Sequence, residues 1–394
     1  MLNLAKGRVI EMMVKLSPMS VLVVLAVCSS GVCAVQPFEE DWNMTFGDVS
    51  GWSISEAIDY GYIIVGSSDS STNDNDDIYL LKTDSDGKKE WDKIFGTNYD
   101  ECGYLIQATK DRGYFIAGRM YEFLLNDAWL IKTNSSGYME WNKMYDAFDP
   151  PWNGEFVSET TDGGFIMVGD TLPTSEKGDI VLTKTDSKGN EEWVKIFSVS
   201  GDAGGNSIKI TNDGGYVILG STDMGGHFDD ILLIKTDERG NVEWTKTLGS
   251  ILVDDRGISV QQTTDGGYVV VGFTGNYGNF DVYLAKTSSN GDLDWYRTFG
   301  GSENDWGYSV QECDDGGYIV LGQTKSYGSG EGDIYLIKTD SNGIMEWNQT
   351  IGGPLQDEGH KILKTSDGGY IILGYTESYG LDSGALWLIK LRTM

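Results

Sequence analysis

The sequence predicts an all-β fold, a seven-bladed β-propeller with four antiparallel strands in each blade, and three observations carry that prediction. A segment built on "DGGY" plus an apolar run recurs seven times, with its aspartate at Asp59, Asp111, Asp162, Asp213, Asp265, Asp315 and Asp367. A tryptophan keeps the same beat, at Trp42, Trp91, Trp141, Trp193, Trp244, Trp295 and Trp347. Each unit also holds four short apolar runs. A period of about fifty residues with four strands to the unit indicates one propeller blade per repeat.

The unit at 307–351 shows the elements in order. "GYSVQEC" reads as the inner strand a, and "DDG" turns the chain into strand b, "GYIVLG". A variable loop leads to strand c, "DIYLIKT", and "DSNG" turns into strand d, "MEWNQTI". The c–d turn suits a type I turn closed by a left-handed glycine, Gly343, where a side chain would clash. If Ser341, Asn342 and Gly343 form that loop, Lys338 faces Glu346 directly. The same offset recurs as Lys82/Glu90, Lys132/Glu140, Lys184/Glu192, Lys235/Glu243 and Lys286/Asp294. Opposite charges across a strand pair contribute about 0.2–1 kcal/mol each.

Two charges are left over. Lys390, on the last strand c, has no acid downstream, and Asp41, beside Trp42, has no lysine upstream. Each is the other's missing half, so "DWNMTF" (41–46) reads as strand d of the final blade. The N-terminal strand thereby joins the last blade and closes the ring.

Residues 1–34 read as a signal peptide. Lys6, Arg8 and Lys15 precede the apolar run "MSVLVVLAV" (19–27), then "VCA" at 32–34. That run is too short to span a bilayer, so cleavage after Ala34 leaves residues 35–394 as one propeller domain with no transmembrane anchor. Lipidation at Cys28 is the rival arrangement. Either way the protein is expected to be secreted or at the cell surface, as a monomer. Cys102 and Cys313 remain, isolated in well-separated repeats, and read as free thiols.

A formal charge of −31 and a pI near 4.2 exclude nucleic acid as a partner, because phosphate recognition depends on lysine and arginine. They also argue against docking on anionic lipid.

The c–d segments "KTDSDGKKEW" (82–91) and "KTDSNGIMEW" (338–347) resemble the tryptophan-turn repeat of quinoprotein-type propellers, where Asp, Gly and Trp tie adjacent blades together. Over nearly all of 41–391, the unit is more similar to the seven-fold repeats of exported bacterial and archaeal surface proteins. The resemblance implies a propeller and export, and no particular activity. A quinone site would imply eight blades, a calcium-held quinone and often a vicinal cysteine pair, from which seven repeats and isolated cysteines depart.

No nucleophile elbow, zinc-protease motif or phosphate loop is present. His227 and His360 are the only histidines, and His360, at an inner strand, is the better functional candidate. The aspartate before strand c (Asp77, Asp127, Asp179, Asp230, Asp281, Asp333) gives way to Ala385 in the last unit and reads as a strand-end hydrogen-bond acceptor. Asp69, Asp74 and Asp76 crowd one loop and make calcium the one cofactor to weigh, against a solvated acidic loop. Asn43, Asn134 and Asn348 head glycosylation sequons.

The d–a and b–c loops leave from the face opposite the uniform turns and vary in content. They carry the candidate ligand-binding residues Trp52, Tyr99, Trp152, Phe228, Tyr277, Trp306, Tyr327, His360 and Tyr379, with Tyr121 and Phe123 among their neighbours. Variable loops on a rigid scaffold are where binding resides. Aromatics beside carboxylates and amides suit a glycan or a protein epitope, so the expected partner is a glycan or an envelope protein. A carbohydrate-active hydrolase or lyase on the same scaffold is the alternative, its acid and base drawn from carboxylates at the channel mouth.

Overall fold

A computed structural model describes residues 38–393 apart from 48, 70–74, 123–124, 146–147, 150–155, 172–177, 200, 224–227, 251 and 381–383. The expected leader, with Cys28, lies outside the described residues, as do Asp74, Phe123, Trp152 and His227. Among the described residues there are seven antiparallel sheets and no helix. Blade 6 shows the pattern: strands a to d are Asp305–Glu312, Tyr318–Thr324, Asp333–Thr339 and Met345–Ile351, hydrogen-bonded in that order. Blades 1, 2, 4 and 5 repeat it over 49–95, 100–145, 203–248 and 254–299. In blade 3 the inner strand is split into Phe148–Asp149 and Val157–Glu159, both paired with Phe165–Thr171. Blade 7 takes its outer strand from the N-terminus: Phe38–Gly47 pairs with Ala385–Thr393 from Phe38↔Thr393 to Gly47↔Ala385. The ring closes as the unmatched charges require.

Strands b and c supply the core because both of their faces meet neighbouring blades, and their apolar runs are therefore nearly continuous. Between blades 6 and 7, Ile319, Leu321, Ile334 and Leu336 pack with Ile362, Ile372 and Ile389, all fully buried. Each such side chain contributes about 1.5–3 kcal/mol relative to exposure.

The recurring tryptophan joins one blade to the next. Trp244 of blade 4 lies 5.7 Å from the Tyr268 ring of blade 5, and covers the c–d turn glycine there. A Cβ at Gly291 would stand 2.6 Å from the Trp244 ring. Gly291 has φ 76°, so both sterics and backbone require glycine. Blade 7 has no c–d turn, since its outer strand comes from the other chain end. Phe38 fills that place, 5.3 Å from Trp347 and 5.2 Å from Tyr370.

The strand-c lysine is a buried clamp. Lys235, 3% exposed, reaches Glu243 at 2.9 Å, the Thr236 carbonyl at 2.9 Å, and Asp213 of the a–b turn at 2.9 Å. Three oxygens replace the ammonium's water, which is what lets a lysine be buried. The lysine–Asp pair recurs in all seven blades. The turn aspartate is thus a charge partner as well as a turn residue.

Three details of the expected pairing are corrected. Lys338 stands opposite Trp347, because a bulge makes Glu346 the extra residue; the ion pair still forms at 3.1 Å. Lys286 is held by Asp265 at 2.9 Å, and no ion pair to Asp294 is present among the described residues. Its acid is one methylene shorter than the glutamates of the other blades. Lys390 is held by Asp367 at 2.8 Å, while Asp41 lies 3.7 Å from Arg392. The same bulge falls between Glu40 and Trp42, and Asp41, like Asp294, is one methylene shorter than the glutamates that reach the lysine across it.

Candidate functional site

Successive a strands touch one another around the centre and line the channel. Outside blade 3, each carries a glycine set hard against the preceding blade: a Cβ at Gly51, Gly257 or Gly307 would come within 2.6 Å of Leu386, Leu219 or Val271. One residue later the register shifts, between Gly51/Ser53, Gly103/Leu105, Gly205/Ser207, Gly257/Ser259, Gly307/Ser309 and Gly359/Lys361. The bulged residues are Trp52, Tyr104, Asn206, Ile258, Tyr308 and His360. A bulge re-aims a side chain out of the sheet's alternation, so these six form an inner ring.

On one side the ring becomes a continuous arc. The Trp52 and His360 rings stack at 4.8 Å and 10°, and Tyr104 follows 6.0 Å from Trp52. Tyr104 and Tyr121 share a hydroxyl contact of 3.0 Å, and Arg119 lies over the Tyr121 ring at 5.3 Å. In the other direction His360 Nε2 is 3.3 Å from Glu358, whose carboxylate also takes the Gln323 amide at 3.3 Å and the amide of Gln356. His360 Nδ1 meets the Gly51 carbonyl at 2.7 Å, which fixes the ring across the junction of blades 7 and 1. Across the channel the ring holds Asn206 and Ile258, and Asn206 donates its amide to the Gly257 carbonyl at 2.9 Å.

Burial alone pushes the Glu358 carboxyl up, but His360, Gln356 and Gln323 hold it below the usual glutamate range, so it stays a carboxylate. Burial, then the Glu358 charge, pushes the Tyr308 phenol up. Two lysines also sit on channel-lining strands. Burial pushes Lys361 down to about 7 and Lys209 down to about 8. The arc offers flat rings, amides and one carboxylate, with the buried Arg119 guanidinium behind Tyr121.

The expected site residues divide. Trp52 and His360 belong to the arc. Trp306 is half-buried nearby with the Lys325 ammonium 5.8 Å from its ring. Tyr327 and Tyr379 hold loops in place, their hydroxyls donating to the Gly300 and Gly352 carbonyls at 2.5 and 3.0 Å. Tyr99 is half-buried in the loop before blade 2. Phe228 and Tyr277 point outward, Tyr277 at a hairpin tip and 99% exposed. Asp76 is exposed, and no group of three or more metal-ligating side chains is found among the described residues. Cys102 and Cys313 are free thiols, and burial pushes Cys102 up to about 11. No described helix is long and apolar enough to cross a membrane.

Tyr104, Arg119, Tyr308, Gln323 and Glu358 escape the sequence reading as site residues, whereas Tyr121 is already among the loop aromatics. The signal was present for Tyr104 and Tyr308: the residue after the strand-a glycine varies (Trp52, Tyr104, Asn206, Ile258, Tyr308, His360) while the glycine stays.

No protein-family model matches the chain, and no curated protein matches it. Solved structures do. The chain is similar to Drosophila Plexin A in its complex with Semaphorin 1b, at TM-score 0.52 and 6% identity over 90% of this chain and 87% of that one. It is similar to puromycin hydrolase at TM-score 0.51 and 11% identity, over 87% of this chain and 53% of the hydrolase, about half its length. The β-propeller domain of the Trilobed protease from Pyrococcus furiosus aligns at TM-score 0.49 and 9% identity, over 88% and 95% of the two chains. At these identities the likeness is one of fold. The fold is that of a seven-bladed β-propeller.

Proposed function

We propose that this propeller is an exported, non-enzymatic recognition or structural module of the cell surface. Its ligand is a glycan or a neighbouring surface protein, held on the loop face at the channel mouth. The observation that carries the reading is the arc: the stacked Trp52 and His360, with Tyr104 beside them and Glu358 and Gln323 at its end. Flat rings suit the apolar faces of sugars, and amides with a carboxylate suit their hydroxyls. Export through the 1–34 leader fits that role, with a lipid at Cys28 as the rival mode of attachment. A hydrolase would need two carboxylates facing one open cleft. The close carboxylates at hand, such as Asp305, are buried and cap loop backbone.

The test is a glycan array probed with the full chain, with calcium and with chelator, beside Trp52→Ala. A specific hit lost in Trp52→Ala supports the reading. Silence removes the glycan and leaves the surface protein as ligand. Turnover of an array glycan would replace the reading with the enzyme.

A further inference from the structure

On the loop face, strand c of one blade starts beside strand a of the next, and at three consecutive junctions both strands start with aspartate. The pairs are Asp230/Asp255, Asp281/Asp305 and Asp333/Asp357. Each pair converges on a glycine of the d–a loop. A Cβ at Gly249 would stand 2.7 Å from Asp255 Oδ2 and 2.9 Å from Asp230 Oδ1. At Gly300 it would meet Asp305 Oδ2 at 2.7 Å and collide with Asp281 Oδ1; at Gly352, Asp357 Oδ2 at 2.9 Å and Asp333 Oδ1. Asp255, Asp305, Asp333 and Asp357 are at most 1% exposed.

Part of each pair has an evident task. Asp305 Oδ2 accepts Gly301 N–H at 2.9 Å and the Ser326 hydroxyl at 2.7 Å; Asp357 Oδ2 accepts Gly353 N–H and the Ser378 hydroxyl, both at 2.7 Å. Asp333 Oδ2 takes Ser329 N–H at 2.8 Å, and Asp255 Oδ2 takes Ser250 N–H at 2.6 Å. These bonds fasten the d–a and b–c loops. The other oxygens are the anomaly: Asp281 Oδ1, Asp305 Oδ1 and Asp357 Oδ1 are buried with no hydrogen-bond partner. Two buried carboxylates side by side with unpaired oxygens repel and are poorly solvated.

The groups facing the pairs do not relieve this. Tyr335 and Tyr327 stand by Asp281/Asp305, Tyr379 by Asp333/Asp357, and Asp229, Asp254, Tyr283 and the Thr274 hydroxyl, which bonds Asp255, by Asp230/Asp255. Arg256 is nearby and is taken by Asp229 at 2.6 Å. Among the described residues, no lysine or arginine ion-pairs with any of the six aspartates.

We propose that each pair holds one shared proton, as a carboxylic acid donating toward a carboxylate, and that these protons lock the binding-face loops between blades 4 and 7. Asp255 and Asp305 accept loop N–H donors while Asp230 and Asp281 accept none among the described residues, so the strand-c member carries the proton there; at the third junction Asp333 and Asp357 both accept loop donors. Burial, then the neighbouring carboxylate, pushes Asp230 and Asp281 up, and Asp333 is pushed up by burial first and Asp357 last. A native state that binds protons the unfolded chain releases is stabilised as pH falls. Proton sharing is independent of the glycan reading above.

The test is thermal unfolding of the full chain between about pH 7 and about pH 5, below the range in which Lys361 and Lys209 lose their protons, beside the double variant Asp281→Asn/Asp333→Asn. Asparagine donates as the protonated acid would. The wild type is expected to melt higher at the acidic end, and the variant to match it there, to melt higher at the alkaline end, and to show a flatter pH dependence. A wild-type melting temperature that is flat or falls on acidification overturns the proposal. So does calcium raising it at the alkaline end in the wild type alone, because a cation would then hold the pairs. Should the variant not fold, carboxyl NMR of aspartate-labelled wild type decides. Carboxyls that titrate above the ordinary aspartate range are expected, and their absence overturns the proposal.

Discussion

Within blade 4, two aspartates at opposite ends of the same sheet live in opposite fields. Asp213, on the turn face, meets the Lys235 ammonium at 2.9 Å. Asp230, on the loop face, meets the carboxylate of Asp255. Partial burial pushes Asp213 up, but Lys235, the Thr211 hydroxyl and Gly215 N–H together hold it down to about 2. Asp265 and Asp367 are held down to about 2 in the same way. The loop face holds the contrary case even outside the three pairs: burial pushes Asp170 up to about 6, with Asp202 adding and Gly205 N–H and Arg119 opposing. One face spends its lysines on holding the ring together. The other is left acidic, aromatic and varied, which is the division a binding scaffold needs.

The largest effect expected on this contrast is loss of an inter-blade tryptophan. Trp244 is half-buried between Tyr268 and Gly291, so Trp244→Ala should cost about 2–3 kcal/mol in denaturant unfolding, below the range for a fully buried aromatic. Tyr277→Ala, 99% exposed on the loop face, should stay within about 0.5 kcal/mol. Lys235→Met comes next. Removing the buried ammonium strips the buried Thr236 carbonyl of its donor and leaves the exposed Asp213 and Glu243 facing each other, and about 1–3 kcal/mol should be lost. A cost below about 1 kcal/mol would reduce the clamp to an ordinary surface ion pair.

The two faces should also divide in pH. Clamp aspartates have lowered native pKa values, so their contribution is full above the ordinary aspartate value of about 4 and is lost as pH falls through about 2. Asp170 has a raised value, so its contribution is full at acid pH and is lost as pH rises through about 6. Among the carboxylates, stability should therefore peak at mildly acid pH, while the lowered Lys361 and Lys209 add stability as pH rises above about 7, and Asp170→Asn should flatten only the fall between about pH 4 and about pH 6. The smallest effect is a gain. Tyr60 and Arg112 take φ 65° and 72° where five other blades have glycine. Arg112→Gly should stabilise by about 0.5–1 kcal/mol in the same unfolding assay.

What is legible in the sequence follows the same division. Blade number, strand order and ring closure can be read because the turn face repeats its chemistry in every blade, down to the unmatched Lys390 and Asp41. The clamp's second acid is hidden, because Asp59 to Asp367 already have a sufficient role as turn residues. The bulge that moves Glu346 out of register is hidden too, since it leaves the spacing intact. The arc is only partly legible. Trp52 and His360 stand out by residue type, but Glu358 acquires its place from Gln323, thirty-five positions away in the preceding blade, and Tyr104 from Trp52, more than fifty positions away. Acids that meet across a junction, such as Asp281 and Asp305, look identical in sequence to acids that meet a lysine.

The central claim is that recognition belongs to the loop-face arc while the turn face is architecture. The most direct test is calorimetric titration of the full chain with the glycan an array identifies, beside Trp52→Ala in the arc and Lys188→Ala in a c–d turn. Loss of binding in Trp52→Ala with Lys188→Ala unchanged is the predicted result. Full binding by Trp52→Ala, or loss in Lys188→Ala, would contradict it.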